Sequence, residues 1–212
     1  MVDDRSAAAS PPRHTFVSIL CNAALAAFYS LFVIAHVMDK REWDWAYQVP
    51  VILQQSTMVL AFLTRRPSFE TSRQPLDWAA GVAGTLLPML LRPTPEPGSL
   101  TWLGRPLMIA GLVVSIVGLL SLGRSIAVVA ANRGLKTGGA YRLVRHPVYA
   151  AYSMTFVGYL IGSPSGWNAV IVAAALFLLG LRAILEERFL KREPQYNAYS
   201  GQVRWRMVPG VF

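Results

Sequence analysis

Lys136-Thr137-Gly138-Gly139-Ala140-Tyr141-Arg142-Leu143-Val144-Arg145-His146-Pro147-Val148-Tyr149 is a basic, glycine-containing stretch that runs directly into apolar sequence. Pro147 has no N–H to lose and a backbone angle suited to the first turn of a helix, so a helix is expected to begin near His146. Val148 to Gly162 is apolar apart from Tyr, Ser and Thr, which sends that helix into a bilayer. Ser163-Pro164-Ser165-Gly166 then reads as an uncharged turn, and Trp167 to Leu181 as a second apolar helix returning beside the first. Equal counting from the centre of that turn sets Tyr149 level with Gly180 and His146 level with Ala183. Arg182, Glu186 and Glu187 therefore come back to the mouth where Arg142, Arg145 and His146 stand. Ionisable groups meeting at a membrane edge are a functional hypothesis. The free amides and dipole of a helix N-terminus favour an anion, and Gly138-Gly139 allow a sharp turn or a close approach of backbone to ligand. The plainer alternative is that Arg and His anchor the helix end at the headgroups.

Working outward, the 212 residues are 54% hydrophobic and only 15% charged, well below the charged fraction of a soluble domain. This is the composition of an integral membrane protein. The net charge of +9 does not indicate nucleic acid, because the basic residues sit at the ends of apolar runs and form no basic face with interleaved aromatics. The single cysteine, Cys21, excludes an internal disulfide and a multi-cysteine metal site, and its place inside an apolar run suggests packing.

Four further apolar runs precede the hairpin. Residues 1–14 are polar and small and suit a disordered tail. Thr15 to Met38 is a first span, longer than a signal-peptide core, with His36 as an interfacial polar residue near its end. Tyr47 to Leu63 is a second, carrying Pro50, Gln54, Gln55, Ser56 and Thr57; this belt could line a cavity or make interhelical hydrogen bonds. Arg65-Arg66-Pro67 stops it. Leu76 to Leu91, with Asp77 at its start and Pro88 near its end, is a short third run. Residues 92–105, rich in proline, read as an irregular loop, and Pro106 opens a fourth run to Gly123. Gly111 and Gly118 there are one heptad apart, a helix-packing signal. The connection 124–145 is long for a bundle, as functional loops often are. The fold expected is all-α: a polytopic bundle of about six transmembrane spans, divided into a tail (1–14), a four-helix scaffold (15–123) and a C-terminal unit (124–212). With the N-terminus inside, sixteen of the 20 Lys and Arg fall on inner segments and four on outer ones, which places both termini in the cytoplasm.

Pro194 to Pro209 is too polar to span, and its Tyr, Trp and Arg residues suit an interfacial segment lying against the hairpin mouth, or simple anchoring. Taken together, Arg145-His146-Pro147-Val148-Tyr149, Glu186-Glu187, Tyr196, Tyr199, Val203 and Pro209 resemble the C-terminal signature of the isoprenylcysteine carboxyl methyltransferase family and its phospholipid-methyltransferase relatives. The resemblance covers about the last 80 residues of the chain.

It implies a membrane methyltransferase that uses S-adenosylmethionine, held in a cytoplasmic pocket formed at the hairpin, with a lipophilic or lipidated acceptor entering from the bilayer and no nucleic-acid partner. On that resemblance the cofactor-binding residues are Arg133, Gly134, Leu135, Lys136, Tyr141, His146, Pro147, Val148, Tyr149 and Glu187. Arg182 and Glu186 are the catalytic pair near the acceptor, Arg182 orienting it and Glu186 holding Arg182 or accepting a proton. No metal is implied. Ala151 departs from the glycine frequent in the family two residues after the motif tyrosine, and Arg133 with Lys136 makes the cofactor loop more basic than in animal members. Methyl transfer from a sulfonium requires positioning in a dry site and no nucleophilic residue. Two competing readings are an NADPH-dependent sterol-reductase-like enzyme and a non-catalytic lipid-binding membrane protein; Pro147 and the Glu186-Glu187 pair favour the methyltransferase.

Overall fold

The computed structural model describes residues 16–38, 45–92, 94 and 98–212. The tail expected at 1–14 and the side chains of His36 and Pro50 lie outside the described residues. Each apolar run becomes one helix: α1 (Phe16–Met38), α2 (Trp45–Thr64), α3 (Pro75–Leu86), α4 (Thr101–Leu122), α5 (Pro147–Gly162) and α6 (Gly166–Leu190), followed by a short polar α7 (Pro194–Gln202). α3 runs on into a 3-10 turn at Leu87–Leu90, where Pro88 interrupts the α-helical pattern. Phe16–Ala35, Thr101–Ser125 and Gly166–Leu190 are long and apolar enough to cross a membrane, and Val51–Thr64 is a shorter apolar helix. α1 turns Phe16, Val17, Leu20 and Leu31 outward, as an all-α integral membrane protein does towards lipid. Cys21 is on this exposed side as well, so it does not pack in the core; its neighbour Asn22 is the buried residue, accepting a hydrogen bond from Arg65.

α4 starts at Thr101, five residues before the proline expected to open it, and Pro106 lies inside the helix. The neighbouring helix accounts for the difference. Gly98 donates its amide to the Gly162 carbonyl (3.1 Å), which pins the start of α4 against the end of α5. A Cβ on Gly104 would stand 2.6 Å from the Gly158 carbonyl. This contact requires helix at 101–105, and it outweighs the backbone bond that Pro106 cannot make.

The spatial order of the helices is α1, α2, α4, α5, α6, α3, and the tightest seam is α4 on α5. Gly104, Gly111 and Gly118 form a heptad stripe along α4, and a Cβ on Gly111 would stand 2.7 Å from the carbonyl of Ala151. Small residues on both sides let the backbones touch. Ala151 is fully buried in this seam, so its methyl is accommodated. Val148 fills the hollow left by Gly118 and joins a core of Ala26, Met58, Phe62 and Leu119. The polar belt of α2 bonds between helices where it is buried, Gln54 Nε2 donating to the Tyr152 hydroxyl (3.3 Å), while Thr57 bonds back to its own helix.

At the end of the hairpin away from His146, fully buried Asn168 accepts from the Arg92 amide (3.1 Å) and donates to the carbonyls of Arg92 and Ser163 (both 2.8 Å). At the other end, the α2–α3 and α4–α5 loops meet in a two-stranded antiparallel ladder, β1 (Glu70–Thr71) on β2 (Ala131–Asn132). The long loop is thereby held across the mouths of α3 and α6, which apolar periodicity had no means of predicting.

Candidate functional site

His146 caps α5, and Pro147 is its first helical residue, as the sequence predicts. The cap is not closed by a side chain. The amides of Arg145 and His146 instead donate to the carbonyls of Trp205 (2.9 Å) and Arg206 (2.7 Å), so the polar tail lies against the hairpin mouth as a paired strand-like segment. Tyr199 secures it further, its hydroxyl donating to the Tyr141 carbonyl at 2.7 Å. Burial raises the Tyr199 phenol to about 12 and pushes the Tyr141 and Tyr196 phenols well above their ordinary range.

Glu187 and Glu186 divide the work of the acidic pair. Glu187 is 2% exposed and fully engaged: one carboxylate oxygen faces His146 Nε2 (3.3 Å) and Arg145 Nε (3.1 Å), and the other accepts from Arg206 Nε (3.0 Å). It ties α6, the start of α5 and the tail into one knot. Glu186 accepts from the Tyr149 hydroxyl at 2.8 Å and stands 4.0 Å from His146 Nδ1. The Tyr149 ring stacks parallel to His146 (centroids 5.3 Å apart) and lies under the Arg182 guanidinium (5.1 Å). Arg182 Nη2 donates to the Val128 carbonyl at 2.9 Å. The expectation that Glu186 holds Arg182 is therefore corrected: Tyr149 stands between them, and among the described residues no ion pair joins the two. The contacts also run about one turn deeper into α6 than equal counting gave, because long Glu and Arg side chains reach back along the helix.

A small cavity of about 10 Å³, room for a single water, lies at this point, lined by Asp77, Ala127, Val128, Val129, Ala130, Tyr149, Arg182, Leu185 and Glu186. α3 forms its far wall. A Cβ on Gly81 would meet the Val128 carbonyl at 2.7 Å, and one on Gly84 would meet Arg182 Cδ at 3.1 Å, so both glycines are what allow the loop and the arginine to close on α3. A wider open cleft lies apart from these groups, along Ser68 to Arg73 beneath Trp78.

The residues expected around a cofactor are only partly gathered. Tyr149 lines the cavity, while His146 and Glu187 meet beside it. Pro147 and Val148 are buried against the scaffold, Val148 facing α4. Arg133 donates to the Arg66 carbonyl, and its own carbonyl accepts from Ser125 (3.2 Å), so it braces the loop crossing. Burial and the nearby Arg65 lower its guanidinium to about 10. Gly134 turns the chain with φ +92°, and Leu135 and Lys136 are half-exposed. Among the described residues, no hydrogen bond or ion pair links Arg133–Lys136 to His146, Tyr149 or Glu187. Tyr141 is buried and joined to the tail. Of the glycine pair only Gly139 has positive φ (+60°), and its close approach is to Ser121 of α4, not to open space.

Asp77, Gly81, Gly84 and Arg206 complete the arrangement and had no motif to announce them, while Arg145 stood in the quoted motif without a site role of its own. For Asp77 the signal present was a lone carboxylate at the head of an apolar run. For Arg206 it was the charge count of the tail.

Comparison with known proteins finds likenesses for the segment that carries this geometry. Residues 100–196 match the phospholipid methyltransferase family model. Among solved structures, the chain is similar to the eukaryotic intramembrane Ras methyltransferase ICMT (isoprenylcysteine carboxyl methyltransferase), with 16% identity and a TM-score of 0.47 over 93% of this chain and 88% of that one. No curated protein sequence matches it. Residues 100–196, the segment that matches this family model, hold the glycine seam, the hairpin, Tyr149, Arg182 and both glutamates.

Proposed function

We propose that this chain is an S-adenosylmethionine-dependent membrane methyltransferase acting on a lipophilic acceptor that reaches the hairpin mouth from the bilayer. One observation carries the reading: Tyr149, hydrogen-bonded to Glu186 and covered by Arg182, stands at the hairpin mouth inside the segment that matches the phospholipid methyltransferase family model. The chemistry of these side chains suits a molecule bearing a carboxylate, an ammonium and a sulfonium. Arg182 offers a guanidinium, Glu186 and Asp77 offer carboxylates, and Tyr149 offers an aromatic face of the kind that attracts cations.

When bound, S-adenosylmethionine supplies an electrophilic methyl group on sulfur. The protein's own residues then position and exclude water. Tyr149 and the backbone at His146–Tyr149 form the cofactor side, together with Tyr141 and the loop Arg133–Lys136. Arg182 orients the acceptor, and Glu186 fixes the Tyr149 hydroxyl. Glu187 acts one step back, holding His146 and the tail in place. Alignment in a dry site supplies most of the rate in such a transfer. The excess of basic residues on inner segments supports a cytoplasmic mouth with both termini on the same side.

Calorimetric titration of the detergent-purified protein with S-adenosylmethionine and with its demethylated product tests the reading. Micromolar binding that is lost in His146→Ala and Glu186→Ala is the expected result. A folded protein that binds neither, or that binds NADPH instead, overturns it.

A further inference from the structure

We propose that an anionic phospholipid, distinct from the methyl acceptor, binds by its phosphate at the corner of α1, α2 and α4, where Arg65, Arg66, Arg124 and Arg133 gather without an acidic partner. Its chains lie along the exposed apolar faces of α2 and α4. This assignment is independent of the methyltransferase reading.

The way α2 ends assembles the cluster. Arg65 and Arg66 follow its last residue, Thr64. The end of a helix leaves carbonyls without amide partners and carries the negative end of the dipole. Arg124 Nε donates to the Thr64 carbonyl (2.6 Å), Arg133 donates to the Arg66 carbonyl, and the Arg66 amide donates to the Arg124 carbonyl (2.8 Å). Arg65 is buried and donates to Asn22 of α1. Capping explains why guanidinium groups come here. It does not compensate four of them, since a helix end carries only about half an elementary charge.

Other arginines of the loops and tail have carboxylates. Arg145 and Arg206 share Glu187, and Arg192 faces Glu70 at 3.5 Å. Among the described residues no carboxylate stands within ion-pair distance of Arg65, Arg66, Arg124 or Arg133. Arg65, Arg124 and Arg133 each spend one N–H on the protein, out of the five that a guanidinium carries. Arg133 Nε is closed off from solvent and has no partner, so its charge is the least compensated. Arg66 and Arg124 are exposed, and guanidinium groups bind phosphate through paired N–H donors.

The surface below the cluster selects a lipid over a free anion. Val113, Val117 and Leu120 lead up one face of α4 towards Arg124, four and three residues apart, and Leu60 and Leu63 lead up α2 to Thr64; all five are exposed. Arg124 reaches the Thr64 carbonyl, so the two faces adjoin at the cluster. Basic pockets between membrane helices bind acidic head groups. The general excess of basic residues on this side attracts anionic lipid as well, but by charge count and not by position, and that difference provides the control.

Native mass spectrometry of the detergent-purified protein, titrated with phosphatidylglycerol, phosphatidylcholine and inorganic phosphate, tests the proposal. Wild type is expected to hold one phosphatidylglycerol about tenfold more tightly than phosphatidylcholine. Arg66→Gln/Arg124→Gln protein should lose that preference, and Arg188→Gln/Lys191→Gln, which removes equal charge from the exposed end of α6, should keep it. Arg66→Gln alone leaves the backbone contacts in place; it should weaken phosphatidylglycerol about threefold, and it decides the matter if the double variant does not fold. No preference in wild type, a preference kept by the folded Arg66→Gln/Arg124→Gln protein, equal loss in both double variants, or, failing a folded double variant, no change in Arg66→Gln overturns the proposal. So does displacement of the lipid by phosphate at equal concentration, which gives the cluster to a free anion. A fall of more than about twofold in S-adenosylmethionine affinity in Arg66→Gln gives it to the cofactor and overturns it too. If wild type binds no S-adenosylmethionine, the lipid titrations alone decide.

Discussion

Replacing Glu187 by Ala removes the ion-pair partner of Arg145 and the hydrogen-bond partner of His146 and Arg206 at once. Breaking a buried ion pair from one side costs about 3–5 kcal/mol, mainly because the remaining charge is stranded. Arg206 is 31% exposed and can return to water, so its share is small. Arg145 and His146 have side chains only 9% and 7% exposed and cannot rehydrate without moving the start of α5. The expected loss is therefore near the lower end, about 3 kcal/mol, with Glu187→Gln losing less because one carbonyl oxygen remains to accept. Unfolding in mixed detergent measures it. The tail should loosen in the same variant, since Arg206 is released and the His146 amide bonds to its carbonyl, and faster proteolysis beyond α7 would report this. A Glu187→Ala protein within about 0.5 kcal/mol of wild type would refute the claim that this carboxylate organises the mouth.

Gly158→Ala should cost about 1–3 kcal/mol, because its Cβ would stand 2.6 Å from the Met108 amide and 2.7 Å from the Gly104 carbonyl, whereas Gly162→Ala meets nothing within 4 Å and should be near neutral in the same unfolding assay. Tyr199 ionises near 12 when folded and near 10 when unfolded, so its contribution is complete below pH 10 and is lost as pH rises from 10 to 12; Tyr199→Phe should flatten that part of the stability–pH curve. Tyr149→Phe removes the donor to Glu186 while keeping the ring under Arg182, and should lower methyl transfer by about tenfold or more with cofactor affinity little changed, measured by turnover and calorimetry side by side. Arg182→Lys should be nearly as damaging as Arg182→Ala in turnover, since an ammonium cannot both reach the Val128 carbonyl and cover Tyr149 as a planar guanidinium does.

Much of this molecule is written in short-range pattern. Apolar length gave six helices because a bilayer demands long apolar segments, and Pro147 and the Ser163–Gly166 turn gave the hairpin because proline and glycine act on the backbone locally. Gly111 and Gly118 marked the α4 seam since close helix approach requires small residues at a regular spacing. The motif around His146 and the four-residue spacing of Arg182 and Glu186 pointed to the candidate site for the same reason: residues one helical turn apart share a face wherever the helix is put.

What only the tertiary structure decided are matters of which surfaces meet. α3 packs beside α6, four places away in helix order from α2, and no local property of Leu76 to Leu91 selects that neighbour. That placement turns Asp77 from a polar residue at a helix start into a cavity wall. The pairing of Glu70–Thr71 with Ala131–Asn132 closes a loop over the mouth through backbone bonds to which side-chain pattern is nearly silent. The partition of the glutamates, Glu186 to Tyr149 and Glu187 to Arg145, His146 and Arg206, depends on the crossing of α5 and α6 and on where the tail lies. Adjacent residues on a helix point about a hundred degrees apart. Sequence alone set the two carboxylates side by side; the three-dimensional packing sent one into the knot and the other to the cavity.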